Sequence, residues 1–257
     1  MSDRIFRLHG EEGEPVQDPE PIYKRIILKL TGEIFRKNGD NLSAEAAVVA
    51  AKEIKSIHDL GVEVAVVFGG GNIVRGRNFE GSDVVKQPTA DRMGMLGTVI
   101  NGLLLEDALE KQGMVVRLMS AINVDKMAEP YIYKRALKHL SNSRVVVMVG
   151  GIGEPGYTTD NTAVSRAFDI GAEAIIKGTK VDGIYSSDPK LNPDAKFLPE
   201  VNVNDMARNP SLLGIFEEAA LVRNKKYKIP IHVFNIFTPG NLRRLLLGEP
   251  VGSRIVF

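Results

Sequence analysis

Two glycine-rich turns carry residue types suited to holding phosphate. They are Gly69-Gly70-Gly71-Asn72-Ile73-Val74-Arg75-Gly76 and Gly150-Gly151-Ile152-Gly153-Glu154-Pro155-Gly156-Tyr157-Thr158-Thr159-Asp160. Each follows an apolar run, Val64 to Phe68 in one case and Val145 to Val149 in the other. Backbone N–H groups gather at such strand ends, and absent side chains let an anion approach them. Arg75 adds a directed positive charge for a phosphate or a transferring phosphoryl group. The bland alternative is a tight turn beside a solvated arginine, although one turn rarely needs three adjacent glycines. Lys29 ends another apolar run just before Thr31-Gly32, where it could neutralise charge between a donor and an acceptor phosphate. Thr158-Thr159-Asp160 opens a predicted helix, which favours anions and equally serves as a plain cap.

Other patterns narrow the chemistry. Gly151 to Gly156 literally matches GxGxxG between a predicted strand and helix, the setting of a dinucleotide fingerprint. Against that reading, the match lies in mid-chain, Pro155 stiffens its centre, and the next strand ends in Lys177-Gly178 rather than in an acidic ribose ligand. The run Lys177 to Pro189 combines basic, hydroxyl and acidic groups with Tyr185, an aromatic able to stack on a base, while Asp182-Gly183 and Asp188-Pro189 are turn residues in any protein. No Walker A pattern occurs, which excludes an ordinary P-loop kinase. Arg223, Lys225, Lys226 and Lys228 suit a helix end and read as solvated. His9, His58, His139 and His232 show no ligand spacing, and there is no cysteine, so thiolate metal sites and thiol catalysis are excluded.

The elements that must position these residues follow from periodicity. Residues 1–21 hold Glu11, Glu12, Glu14, Asp18 and Glu20 with three prolines, and read as a flexible acidic tail. Strands are expected at Lys24 to Leu30, Val62 to Phe68, Val115 to Met119, Arg144 to Val149, Ala174 to Ile176, Ile231 to Asn235 and Arg254 to Phe257. Helices are expected from Ser43, as cap, to about Leu60, from a Thr89 cap onward, near Tyr131 to Leu140, at Asp160 to Ile170, at Phe216 to Lys228 and after Thr238-Pro239-Gly240. On the second of these, Met93, Leu96, Ile100, Leu103, Leu104 and Ala108 recur at the spacing of an apolar face. Alternating β and α units with continuous apolar strands predict a mainly parallel sheet covered by helices on both faces, an α/β/α sandwich with ligands at the carboxyl ends of the strands.

The 257 residues, 44% hydrophobic and 25% charged, are ordinary for a globular chain with a sizeable core. A net charge of +1 offers no global field for nucleic acid or an anionic membrane. No apolar run reaches the ~18 residues of a membrane span, and the N-terminus lacks the apolar core of a signal peptide. Together with the absence of cysteine, this sets a cytoplasmic expectation.

The order Lys29-Leu30-Thr31-Gly32-Glu33, Gly69 to Gly76, Ala90-Asp91-Arg92-Met93-Gly94-Met95-Leu96, Thr158-Thr159-Asp160 and Thr179 to Pro189 resembles the bacterial uridylate kinases of the amino acid kinase superfamily. The likeness runs from Tyr23 to the C-terminus, including Val233-Phe234-Asn235 and Pro239-Gly240-Asn241-Leu242. It implies one amino acid kinase domain over residues 22–257, with the acceptor UMP in its N-terminal half and ATP in its C-terminal half. It further implies transfer of the ATP γ-phosphoryl to UMP in pyrimidine nucleotide biosynthesis, with Mg²⁺ held mainly by the ATP phosphates. Lys29, Leu30, Thr31, Gly32, Gly71, Arg75, Thr179, Tyr185 and Asp188 then fall on the ATP side. Gly70, Asp91, Ile152, Gly153, Glu154, Pro155, Gly156, Tyr157, Thr158 and Thr159 fall on the UMP side. Lys29, Arg75 and Asp160 become the catalytic set. A homohexamer tuned by GTP and UTP is implied as well.

This chain departs from that family at one loop. The family pattern is glycine-threonine-glycine-asparagine-proline followed by two aromatics. Here Ile152 and Glu154 replace the threonine and asparagine, and Gly156 replaces one aromatic. A hydroxyl and an amide are lost and a negative charge is gained. Phe216-Glu217-Glu218-Ala219 replaces a methionine-aspartate-alanine pattern and is expected to stay clear of the phosphate machinery. Two alternatives remain beside the UMP reading: a related kinase acting on another small acceptor, and a non-catalytic nucleotide- or anion-binding assembly.

Overall fold

The computed structural model describes residues 19–257 except 190, 210, 211, 213 and 214. The acidic tail expected over residues 1–21 lies almost wholly outside them. Strands β1 (Arg25–Leu30), β2 (Glu63–Phe68), β3 (Val116–Ser120), β5 (Val145–Val149), β6 (Ala174–Thr179) and β10 (Ile231–Asn235) form the body of a nine-stranded sheet. Short strands β4 (Glu129–Pro130), β9 (Glu200–Asn202) and β11 (Ser253–Val256) complete it in the order β4-β3-β5-β2-β1-β6-β10-β11-β9. Every pairing is parallel except β10 with β11. Strands β7 (Ile184–Tyr185) and β8 (Phe197–Leu198) make a separate antiparallel pair.

The central strands read as unbroken apolar runs because both of their faces are covered. Helices α1 (Ala44–His58), α2 (Gln87–Lys111) and α7 (Asn241–Leu246) share one core with Ile26, Leu28, Val64 and Val66. On the other face Ile27, Ala65 and Val67 pack with α3 (Tyr133–Leu140), α4 (Thr159–Ile170) and α6 (Glu218–Tyr227). The expected α/β/α sandwich is therefore the observed one. A short helix α5 (Val203–Arg208) follows β9. Ser43 caps α1 as expected, its hydroxyl accepting from the Ala46 N–H at 3.3 Å.

Helix α2 differs from expectation at its start and on its face. It begins at Gln87 with Pro88 in its first turn, and Thr89 is not its cap. Leu96, Ile100 and Leu103 are 50%, 42% and 37% exposed, whereas Gly97, Thr98, Asn101 and Gly102 turn inward. Close approach of the helix backbone is the reason. A Cβ on Gly70 would lie 2.3 Å from the Gly94 carbonyl oxygen, and one on Gly102 would lie 2.6 Å from Val149. Small side chains are thus required where the helix backbone meets the glycine turn and β5, while Val99, Leu105, Ala108 and Leu109 supply its buried apolar contacts and Leu104 packs against the same core.

His232 on β10 is buried, its Nε2 lying 2.9 Å from the Tyr23 hydroxyl. Burial first, and then the Arg254 guanidinium, push its imidazole from 6.5 down to about 4. Between those values the unfolded chain takes up a proton that the folded chain refuses, so stability falls as the pH drops from about 6.5 to about 4. The expected loss is roughly 3 kcal/mol. Denaturant titrations across that window should show it in the native protein and a flatter curve in His232→Asn; parallel curves would refute the assignment.

Candidate active site

Strand β1 is the point where the sheet order turns. Its neighbours are β2 on one side and β6 on the other, and crevices form at the carboxyl ends of strands arranged in this way. Lys29 lies in register with Lys177 of β6, so two ammonium groups from adjacent strands share one face. Asp160, in the first turn of α4, sits between them. Its Oδ1 is 3.0 Å from the Lys29 Nζ, and its two oxygens accept from the Lys177 Nζ at 3.1 and 2.9 Å. The backbone N–H of Glu217 donates to the Asp160 Oδ2 at 3.1 Å.

Burial opposes the charge on Asp160, but Lys29 and Lys177 prevail and hold its carboxyl at about 2. Lys177 is lowered to about 8, by burial first and by the neighbouring Lys29 second, while Asp160 pulls it the other way. Its ammonium also donates to the Ile215 carbonyl and lies 4.8 Å from the Phe216 ring centroid. Two lysines and one carboxylate leave the cluster with one net positive charge facing the crevice.

Two cavities meet there. The larger, about 670 Å³, is lined by Lys29, Leu30, Thr31 and Gly32, by the first glycine turn through Arg75 and Gly76, and by Lys177 to Lys180. The smaller, about 220 Å³, is lined by Asp91, Gly94, Met95, Thr98, Gly151, Glu154, Tyr157 and Thr158. Gly70, Gly76 and Thr159 line both, so they mark the junction.

The structure brings together most of the residues singled out by sequence. Lys29, Leu30, Thr31, Gly32, Gly71, Arg75 and Thr179 line the larger cavity, and Asp160 is buried beneath it. Tyr185 and Asp188 line neither cavity; Tyr185 packs edge-on against Phe197 across the β7–β8 pair. Of the second glycine turn, Glu154, Tyr157, Thr158 and Thr159 line the smaller cavity, whereas Ile152, Gly153, Pro155 and Gly156 do not. Gly156 takes part indirectly, its N–H donating to the Asp91 Oδ2 at 2.8 Å. Thr158 caps α4 and donates its hydroxyl to Glu217.

That last contact corrects an expectation. The Phe216-Glu217 segment does touch residues expected to handle phosphate: the Glu217 N–H holds Asp160, and its carboxylate accepts from Thr158 and, at 2.5 Å, from Asn161. The three glycines of the first turn have no positive φ, and the α2 backbone pressed against Gly70 leaves no room there for a side chain.

Further participants were not singled out from sequence. Glu33 pairs with both Arg75 and Lys180; burial works against its charge, but those two cations hold its carboxyl below the usual range. Asn72 and Asn101, both buried, exchange amide hydrogen bonds at 2.9 and 2.8 Å, and Asn101 also donates to the Gly69 carbonyl at 3.0 Å. This fixes the first glycine turn to α2. The one visible signal for Lys177 was a lysine closing an apolar strand, as Lys29 does.

A parallel sheet with a cationic cleft at its switch point and adjoining cavities defines a phosphate-handling α/β protein. Comparison with known proteins narrows the class. The profile of the Amino acid kinase family matches residues 24–235. The chain is 45% identical over 238 residues to the uridylate kinase of Methylococcus capsulatus, covering 92% of this chain and 98% of that one. Among solved structures, UMP kinase from Bacillus anthracis superposes with a TM-score of 0.86 at 41% identity, over 91% of this chain and 96% of that chain. UMP kinase from Ureaplasma parvum gives 0.85 at 31% identity, over 91% and 99%. The chain belongs to the amino acid kinase family, on its uridylate kinase branch.

Proposed function

We propose that this protein transfers the γ-phosphoryl group of ATP to UMP, giving UDP and ADP in the cytoplasm as a step of pyrimidine nucleotide synthesis. The observation that carries this reading is the junction of two cavities at Gly70, Gly76 and Thr159 beside the Lys29–Asp160–Lys177 cluster. The larger takes the triphosphate and the smaller the monophosphate, so donor and acceptor phosphates meet at fixed cations. Phosphoryl transfer asks mainly for positioning and charge neutralisation. Lys29 and Arg75 meet the charge that develops on the transferring oxygens, and Asp160 keeps both lysines in place. The ATP contacts of Tyr185 and Asp188 and the division into acceptor and donor halves belong to this reading through the family likeness.

The donor set suits a magnesium ion that arrives on the nucleotide. Among the described residues no three carboxylate or imidazole groups converge, and the oxygens of Asp160 are already engaged by lysines and an N–H. Bound to the ATP phosphates, Mg²⁺ supplies charge neutralisation there.

Assembly as a homohexamer, with GTP and UTP as effectors, is part of the same proposal. The exposed apolar stripe Leu96, Ile100 and Leu103 on α2 supports self-association, and a solution mass showing only monomer would defeat it. No helix among the described residues is long and apolar enough to cross a membrane.

Incubation with MgATP and UMP, with products separated by chromatography, should give UDP and ADP in equal amounts. ATP binding without UMP-dependent ADP release would favour the non-catalytic alternative instead. Glu154, which lines the acceptor cavity, should raise the Michaelis constant for UMP through its repulsion of the monophosphate. Glu154→Asn is therefore expected to lower that constant several-fold, and unchanged kinetics would mean that this carboxylate points to solvent.

A further inference from the structure

Helix α4 carries Asp160 at its start and Arg166 nearly two turns later. Arg166 is buried, with its guanidinium carbon 3.7 Å from the centroid of the Tyr131 ring. Its Nη1 donates to the Asp169 Oδ2 at 3.1 Å, and the same carboxylate oxygen accepts from the Tyr131 hydroxyl at 3.0 Å. Its Nη2 donates to the Gly151 carbonyl at 3.2 Å. Gly151 lines the smaller cavity and, with Gly150, adopts the left-handed conformation, at φ 61° and 74°. The direction of that carbonyl therefore decides how the second glycine turn leaves β5.

We propose that Arg166 is a positioning residue for the acceptor: clamped between the Tyr131 face and Asp169, it holds the Gly151 carbonyl and so sets the shape of the loop that receives the nucleoside monophosphate. The inference rests on reading the smaller cavity as the acceptor site. Packing alone does not account for the guanidinium. Among the described residues its buried Nε has no hydrogen-bond partner, a cost that an apolar side chain of similar size would avoid. The planar fork is what the position uses, since it stacks flat on the ring while its two ends reach acceptors on different elements; a lysine keeps the charge but has no plane to stack and no rigid fork of that span. Tyr131 also anchors the clamp to the sheet edge, its N–H donating to the Ser120 carbonyl at 2.8 Å.

Steady-state kinetics of the full-length chain, varying UMP at saturating MgATP and then MgATP at saturating UMP, test this. Arg166→Lys should raise the Michaelis constant for UMP about tenfold or more, with that for ATP changed less than about twofold. Tyr131→Leu, which removes the stacking plane and leaves Arg166 present, should move the same constant in the same direction by a smaller factor. A merely structural role would lower thermal stability and leave both constants alone. Folded variants with an ordinary UMP constant, or with both constants raised equally, would overturn the proposal, and if Arg166→Lys does not fold then Tyr131→Leu decides. A native protein that phosphorylates no UMP defeats the acceptor reading and this inference with it; an active native protein with indifferent variants defeats only the role of Arg166.

Discussion

Replacing Lys29 with alanine is expected to lower turnover by about a hundredfold or more while changing the affinity for ATP far less. Lys29 lines the larger cavity, its ammonium 3.0 Å from Asp160, at the carboxyl end of a strand fixed on both sides by parallel neighbours. A charge held so rigidly costs little reorganisation when negative charge accumulates on the transferring oxygens. Arg75→Ala should act in the same direction. Arg75 is tethered to Glu33 and donates to the Gly71 carbonyl at 3.0 Å, so its guanidinium must be partly released to reach a phosphate. Pre-steady-state measurement of the chemical step, with equilibrium binding of ATP, checks both. Near-normal turnover in folded variants would contradict the roles assigned to these cations.

Asp160→Asn should be more damaging still, because it harms the fold and the chemistry together. It leaves two lysines side by side in a buried site with no compensating charge, and stripping one partner from such a cluster destabilises by about 3–5 kcal/mol. In the native protein the lowered carboxyl of Asp160 contributes stability that is fully present above 3.8 and is lost as the pH falls towards about 2. The variant should lack that dependence. Lys177, already near 8, loses the neighbour that raises it, so any alkaline limb of the turnover profile set by this lysine should move to lower pH. Denaturant unfolding and a pH–rate profile read the two effects separately. An unshifted profile in a fully stable variant would show that Asp160 does not hold the pair.

Much of this was legible in the chain because the relevant signals are local. Apolar runs closed by glycine marked β1, β2 and β5, and both glycine turns appear where the strands end. What stayed hidden depends on contacts between distant segments. The meeting of Lys177 with Lys29 requires strand register, which no single run displays. The reach of Glu217 to Asp160 and Thr158 spans more than fifty residues and crosses a stretch with weak periodicity. The outward turn of Leu96, Ile100 and Leu103 on α2 has a related cause: apolar spacing marks a core face only where side chains fill the gap, and here the helix backbone itself is the contact at Gly70. Strands β4, β7, β8 and β9 are two or three residues long, too short to carry a period.

The most direct test of the account is a competition among acceptors. The full-length protein, with MgATP, is offered UMP, other nucleoside monophosphates, carbamate and acidic amino acids, and kcat/KM is measured for each from acceptor-dependent ADP release. The adjoining cavities, the cationic cluster beside their junction and the likeness to uridylate kinases together predict that UMP is the preferred acceptor and that UDP appears in step with ADP. Faster turnover of a non-nucleotide acceptor, or ADP release indifferent to every acceptor, would contradict it.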